Sequence, residues 1–263
     1  MKKANPRKHG GPPYGVCVVH GGPGAAGDMA SVAKALSSGA GVIEPIQTAG
    51  SVDGQIAELR AFLEVHGALP VTLIGHSWGA WLSWMTAAKY PGLAGKLILV
   101  GSGPFEEKYA REIHSVRAGR LSDADQREMH ALLSALTAVD DSEADETFAR
   151  LGEIISRADA FDPIDIQNDL ICRYDIFRKV WVEASALRQS GKLLDMASRI
   201  QCPVVAIHGD YDPHPAEGVQ EPLSGALKDF RFILLKRCGH KPWMEKAARD
   251  VFFQNLKYEV TDT

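Results

Sequence analysis

Val71-Thr72-Leu73-Ile74-Gly75-His76-Ser77-Trp78-Gly79-Ala80 is the stretch on which the fold turns. Its first four residues are β-branched or apolar, as in a short buried strand, and the run then breaks into two glycines spaced around a serine. Residues 80–90 are rich in Ala and Trp and stop before Pro91, which suits a helix ended by proline. A strand, a G-x-S-x-G turn and a helix in direct succession lift a serine hydroxyl clear of the backbone. Side chains at the two glycines would collide with the neighbouring strand and helix. With 25 glycines and 16 serines in the chain, the pattern arises by chance in roughly one such sequence in seven, so the flanking elements carry the argument. The plainer alternative is an ordinary strand-to-helix turn with a serine N-cap.

Working outward, Val16-Cys17-Val18-Val19 reads as a strand running into His20-Gly21-Gly22-Pro23-Gly24. Val42-Ile43, Leu97-Ile98-Leu99-Val100, Val204-Val205-Ala206-Ile207 and Phe232-Ile233-Leu234-Leu235 give further strands. Helical spacing falls over 29–36, 51–66 with Gly67 as its stop, 219–228 and 242–256. This alternation predicts an α/β fold, a mostly parallel sheet of about six strands with helices on both faces. Residues 104–199 show no strand pattern. Ser122-x-x-Asp125 and Ser142-x-x-Asp145 resemble capping boxes, and Gly119 and Gly191 resemble helix stops. That block holds 13 Lys and Arg against 19 Asp and Glu, a net of −6, while the rest of the chain is +2. The expected organisation is a core of 1–103 and 200–263 with 104–199 inserted as a helical lid.

The chain has 263 residues, 45% of them hydrophobic and 24% charged, with a net charge of −4, which suits one large domain. A phosphate-backbone binder normally carries a basic excess, so nucleic acid is not an expected partner. Mean hydropathy is −0.12 and there is no 18-residue apolar run, so no membrane span is expected. The basic start, Met1 to His9, leads into Gly and Pro rather than an apolar segment, which argues against a secretory signal. Cys17, Cys172, Cys202 and Cys238 lie far apart, without the spacing of a zinc knuckle or disulfide framework. A soluble, cytoplasmic protein is expected, monomeric or homodimeric, acting on a small molecule without a metal or organic cofactor.

A serine hydroxyl becomes a useful nucleophile when a base takes its proton and a carboxylate orients that base. Of nine histidines, His9 lies in the tail, and His114 and His130 lie on expected lid helices. His76 diverges from its neighbour at a sharp turn, and His214 is too close in sequence to the best acid. His240, after the Phe232–Leu235 strand and Gly239, remains as the base. Functional groups of α/β sheets collect on loops at the carboxyl ends of strands. On such a loop stand Asp210 and Asp212; Asp212 is favoured because the turn at Gly209 leaves it further out, with Glu106 as a fallback. An acyl-transfer enzyme also needs two backbone N–H groups aimed at the oxyanion. Trp78 and Gly22 are the candidates, with His20 pinning the loop of Gly22. The base must be neutral to act, so activity is expected to fall on the acid side.

Taken together, His20-Gly21-Gly22-Pro23-Gly24, Gly75-His76-Ser77-Trp78-Gly79, His208-Gly209-x-x-Asp212 and Cys238-Gly239-His240 resemble the α/β-hydrolase superfamily. Their form is most similar to its proline-iminopeptidase-like branch. The resemblance covers about 15–103 and 200–258. It implies a serine hydrolase of a small ester, thioester or amide, with Ser77 as nucleophile, His240 as base, Asp212 as acid, and the Gly22 and Trp78 amides as oxyanion hole. Many members open with an antiparallel strand pair, for which about 15 residues leave no room here. The aminopeptidase branch usually carries Asp-Arg-Gly where this chain has Gln47-Thr48-Ala49-Gly50. Ser77 at the turn disfavours the dehalogenase and epoxide-hydrolase members, which place aspartate there.

Two rivals stand beside this reading. Gly22-Pro23-Gly24-Ala25-Ala26-Gly27, with Glu44 beyond the next apolar pair, also spells a dinucleotide-binding fingerprint. A ligand-binding protein that keeps a hydrolase shell without activity is the other. Within the hydrolase reading, an acidic lid could hold an amine-bearing substrate through Glu183, against the plainer view that its charges are solvated helix faces.

Overall fold

The computed structural model describes residues 5–138, 141–165 and 170–261. The first four residues of the basic start, Met1–Ala4, and the capping side chain expected at Ser142 lie outside what is described. In chain order the strands are β1 (Arg7–His9), β2 (Val16–Val19), β3 (Ala25–Ala26), β4 (Val42–Glu44), β5 (Val71–His76), β6 (Ala94–Val100), β7 (Ile171–Cys172), β8 (Val204–Gly209) and β9 (Phe230–Leu235). Seven form one sheet in the order β1-β4-β2-β5-β6-β8-β9, and only the β1–β4 pair is antiparallel.

The central strands are mostly apolar because both faces are covered, and side chains alternate between the faces with period two. Leu73, Leu97, Leu99, Val204 and Ala206 join the core under α2 (Val52–His66) and α3 (Trp78–Lys89). Ile74, Ile98, Val100, Val205 and Ile207 face the other way, toward α1 (Ala30–Leu36) and α10 (Arg249–Thr261). Ser51 caps α2 by accepting the Gly54 N–H at 3.1 Å, satisfying one of the free donors of the first turn.

The structure corrects two expectations. A strand precedes β2 after all: β1 is three polar residues at the sheet edge, tied down by Arg7 and His9, whose side chains reach the buried Glu44 at 3.3 and 2.9 Å. The stretch between β6 and β8 is also not purely helical. It contains α4 (Ile113–Arg120), α5 (Asp123–Ala138), α6 (Asp141–Asp159), α7 (Tyr174–Gln189) and α8 (Lys192–Asp195), together with β7, which pairs antiparallel with β3. Ser122 caps α5 as expected, accepting the Asp125 N–H at 3.1 Å. Gly191 ends α7 in a left-handed conformation, whereas Gly119 lies inside α4, one residue before its end. Downstream, α9 (Glu217–Ala226) begins two residues before its expected start. The last expected helix is split into a 3-10 turn at Pro242–Met244 and α10.

Candidate active site

Ser77 stands between β5 and α3 with φ 51° and ψ −114°, a backbone region that a residue with a side chain rarely occupies. The turn closes so tightly that a Cβ on Gly75 would lie 2.1 Å from the Gly79 carbonyl oxygen, and one on Gly79 would lie 2.4 Å from that of His20. Glycine at both places is therefore a steric requirement of this elbow. The Ser77 N–H is held by the Val100 carbonyl at 3.0 Å. Trp78 opens α3, and its N–H belongs to the first turn, where no helical carbonyl precedes it.

His240 and Asp212 meet at the same edge of the sheet. His240 Nδ1 is 2.7 Å from Asp212 Oδ2, and both residues are buried. The His240 ring centroid is 4.8 Å from that of His76, the residue before Ser77. With Nδ1 engaged by the carboxylate, Nε2 is the nitrogen free for another partner. Among the described residues it makes no hydrogen bond with the Ser77 hydroxyl. Of the other acids considered, Asp210 accepts the Cys238 N–H at 3.2 Å, and Glu106 pairs with Lys108 at 3.1 Å. Burial by itself would raise the Asp212 pKa. The positive fields of His240, His214 and His208 and the His214 hydrogen bond outweigh it and hold the carboxyl well below its ordinary range. His214 bonds to Asp212 Oδ1 through Nδ1 at 2.8 Å; burial lowers its own pKa to about 4, against the pull of Asp212.

The loop after β2 carries Gly22 at φ +48°, a conformation open to glycine at little cost. His20 pins this loop as expected: its Nε2 accepts the Gln47 N–H at 3.4 Å, which leaves Nδ1–H to donate to the Gly21 carbonyl at 2.8 Å. A second anchor had no signal in the sequence. The buried Asp28 accepts the Gly21 N–H through Oδ1 at 3.2 Å, and its Oδ2 lies 2.9 Å from His76 Nδ1. His76 Nε2 lies 3.1 Å from the His240 carbonyl oxygen. One bridge of two side chains thus spans the two loops beside Ser77. Burial lowers the His76 pKa while Asp28 draws it back up.

The dinucleotide rival and the amine role of Glu183 lose their footing here. Glu44 is committed to Arg7 and His9, and a Cβ on Gly24 would lie 2.2 Å from the Arg173 carbonyl, so this glycine loop is closed off by 104–199 rather than open to a pyrophosphate. Glu183 accepts the Val52 N–H at 2.7 Å and so helps cap α2 instead of waiting for an amine. Two clefts of about 440 and 660 Å³ open beside Thr72, at the start of β5 and so at the sheet edge away from Ser77. No helix among the described residues is long and apolar enough to cross a membrane.

Several solved structures share this fold over nearly the whole chain. VinJ is 19% identical, with 97% of this chain and 94% of that one covered and a TM-score of 0.67. The meta-cleavage product hydrolase from Pseudomonas fluorescens IP01 is 17% identical, with 97% and 93% covered and a TM-score of 0.65. The thioesterase domain from the curacin biosynthetic pathway is 18% identical, with 97% and 94% covered and a TM-score of 0.61. No curated protein sequence matches the chain. The profile of the alpha/beta hydrolase family matches residues 16–254, from the first parallel strand into the last helix, and the chain therefore belongs to that family of hydrolases.

Proposed function

We propose that the protein is a serine hydrolase that cleaves a small ester, thioester or amide through an acyl-enzyme. The observation that carries this reading is the 2.7 Å contact of His240 Nδ1 with the ionised Asp212, at the sheet edge where Ser77 stands on its strained turn. His240 Nε2 takes the proton of Ser77 as its oxygen bonds to the substrate carbonyl carbon, and Asp212 steadies the resulting imidazolium. The Gly22 and Trp78 N–H groups receive the oxyanion. His240 then gives the proton to the departing group as its bond to carbon breaks, and a water molecule repeats the sequence on the acyl-enzyme. Residues 104–199 act as the lid over a core of 1–103 and 200–263.

The bond range stays broad, since proteins of similar fold include one titled a thioesterase and one titled a meta-cleavage product hydrolase. With Glu183 bonded to the α2 backbone, the acid considered for the free amine of an aminopeptidase substrate is already engaged. A fluorophosphonate probe tests the chemistry directly. The wild-type chain should be labelled at Ser77, located by peptide mass spectrometry, and Ser77→Ala should lose labelling and lower turnover of acyl esters by about 10^4 to 10^6. A folded wild-type chain that resists the probe would instead be a binding protein with a hydrolase shell.

A further inference from the structure

Asp212 carries two hydrogen-bonded imidazoles where a serine–histidine–carboxylate relay uses one, with His208 Nε2 a further neighbour at 3.5 Å. His240 Nδ1 sits on Oδ2 at 2.7 Å and His214 Nδ1 on Oδ1 at 2.8 Å, with the two rings 4.5 Å apart. One potential ligand atom from each of Asp212, His214 and His240 lies within 4.8 Å of the others. His214 has no step in the proposed mechanism, yet it is held firmly. Its N–H donates to Asp212 Oδ1 at 2.9 Å, and its carbonyl accepts from His208 Nε2 at 2.8 Å. The His214 and His240 side chains keep 12% and 8% of their surface in solvent, so an ion has a route in.

We propose that Asp212, His214 and His240 bind a divalent cation of the zinc class, and that the bound ion reversibly silences the enzyme. Two imidazole nitrogens and a carboxylate oxygen are a donor set for borderline transition-metal ions, whereas magnesium and calcium favour all-oxygen sites. Metal–ligand bonds of about 2 Å in a tetrahedral set hold donor atoms about 3.3 Å apart, so the two imidazole–carboxylate pairs must open by about half an ångström to admit the ion. Each imidazole then binds through Nδ1, and the proton it now shares with Asp212 moves to Nε2. No proton is lost overall. Nε2 of His240 is the atom that must accept the proton of Ser77, so a ring protonated there cannot act as base. The silencing rests on the serine-hydrolase reading; the binding does not.

Titration of the full chain with zinc chloride in a calorimeter tests the site without substrate. The wild type should bind one zinc per chain, and His214→Gln should weaken that affinity by at least about tenfold. His130→Gln, at an exposed position on α5, should bind as the wild type does. Absence of zinc binding to the wild type, or unchanged affinity in His214→Gln, overturns the site. If His214→Gln does not fold, wild-type protein decides: zinc should shield His214 and His240 from diethyl pyrocarbonate, read by peptide mass spectrometry, and unshielded rings overturn the proposal. Fluorophosphonate labelling separates the two readings. No labelling without zinc counts against the hydrolase and leaves the metal site standing, while labelling that bound zinc does not slow overturns the silencing.

Discussion

Asp210 and Asp212 stand two residues apart on the loop after β8, and the turn sends them to different partners. Asp210 accepts the Cys238 backbone N–H and lies 3.7 Å from Lys236 Nζ, whereas Asp212 reaches His240. Asp212→Asn should therefore slow turnover far more than Asp210→Asn, compared by initial rates on one ester; the reverse ranking would move the acid to 210. Asp28 makes a different kind of contribution. Burial alone would raise its pKa, but the His76 hydrogen bond and the charges of His76, Lys241 and His20 bring it down to about 2. A carboxyl depressed in the folded state contributes stability above its unfolded value near 4, and loses it as pH falls through the folded value. The window is thus about pH 4 to 2, and the amount about 2 kcal/mol. Urea midpoints at pH 5 and pH 2.5 should show the wild type losing its advantage over Asp28→Asn between them. A gap independent of pH would remove this account.

At the scale of elements, α3 explains the three tryptophans of the Ser77 helix. Residues 78–88 are all buried, because the helix lies against the sheet on one side and against α7 and α8 on the other. Each indole N–H finds an acceptor: Trp78 the Gln55 side chain, Trp81 the Gly103 carbonyl and Trp84 the Leu193 carbonyl, at 2.9, 3.0 and 2.9 Å. Buried indole N–H groups usually find such partners, and these ones tie α3 to α2, to the loop after β6 and to α8. The β3–β7 ribbon is a second tie. Ala25 and Ala26 pair with Cys172 and Ile171, and the Arg173 N–H donates to the Gly24 carbonyl at 2.7 Å. A methyl at position 24 would strike the Arg173 carbonyl, and its φ of +74° already disfavours any side chain. Gly24→Ala should lower the melting temperature and speed amide hydrogen exchange at 24–26 and 171–173. Exchange at wild-type rates there would show that the ribbon adds little.

Across the whole molecule, Glu245 joins the segment after α6 to the loop that carries His240. Its buried carboxylate accepts three backbone N–H groups, those of Phe161, Asp162 and Gly239, at 2.8, 2.8 and 2.9 Å. The His240 N–H in turn donates to the Asp159 carbonyl at 2.9 Å, and Arg117 grips the Asp159 side chain with two bonds of 2.7 and 2.6 Å. Removing the carboxylate leaves three inward N–H groups without acceptors, so Glu245→Ala should cost about 3–5 kcal/mol in denaturant unfolding. It should also slow labelling of Ser77, since Gly239 directly precedes the base. A variant with wild-type stability would mean that water replaces the carboxylate at no cost.

What could be read from the chain alone rests on short-range physics. Runs such as Leu97–Val100 and Val204–Ile207 are apolar at every position because parallel strands are covered on both faces, and this makes them visible without a partner. The elbow at Ser77 is visible because only glycine fits beside it, and the loops of Asp212 and His240 because they follow strands. Tertiary structure alone decided the rest. β1 is polar and β7 is two residues long, so neither carries a hydrophobic pattern, and both exist because an edge lies within reach. Asp28 meets its histidine across 48 residues, Glu245 meets the Phe161 N–H across 84, and the second imidazole on Asp212 is set by the fold of one loop. A hydrogen bond between distant positions leaves no periodic trace in either of them, and so these contacts appear only once the sheet has brought the loops together.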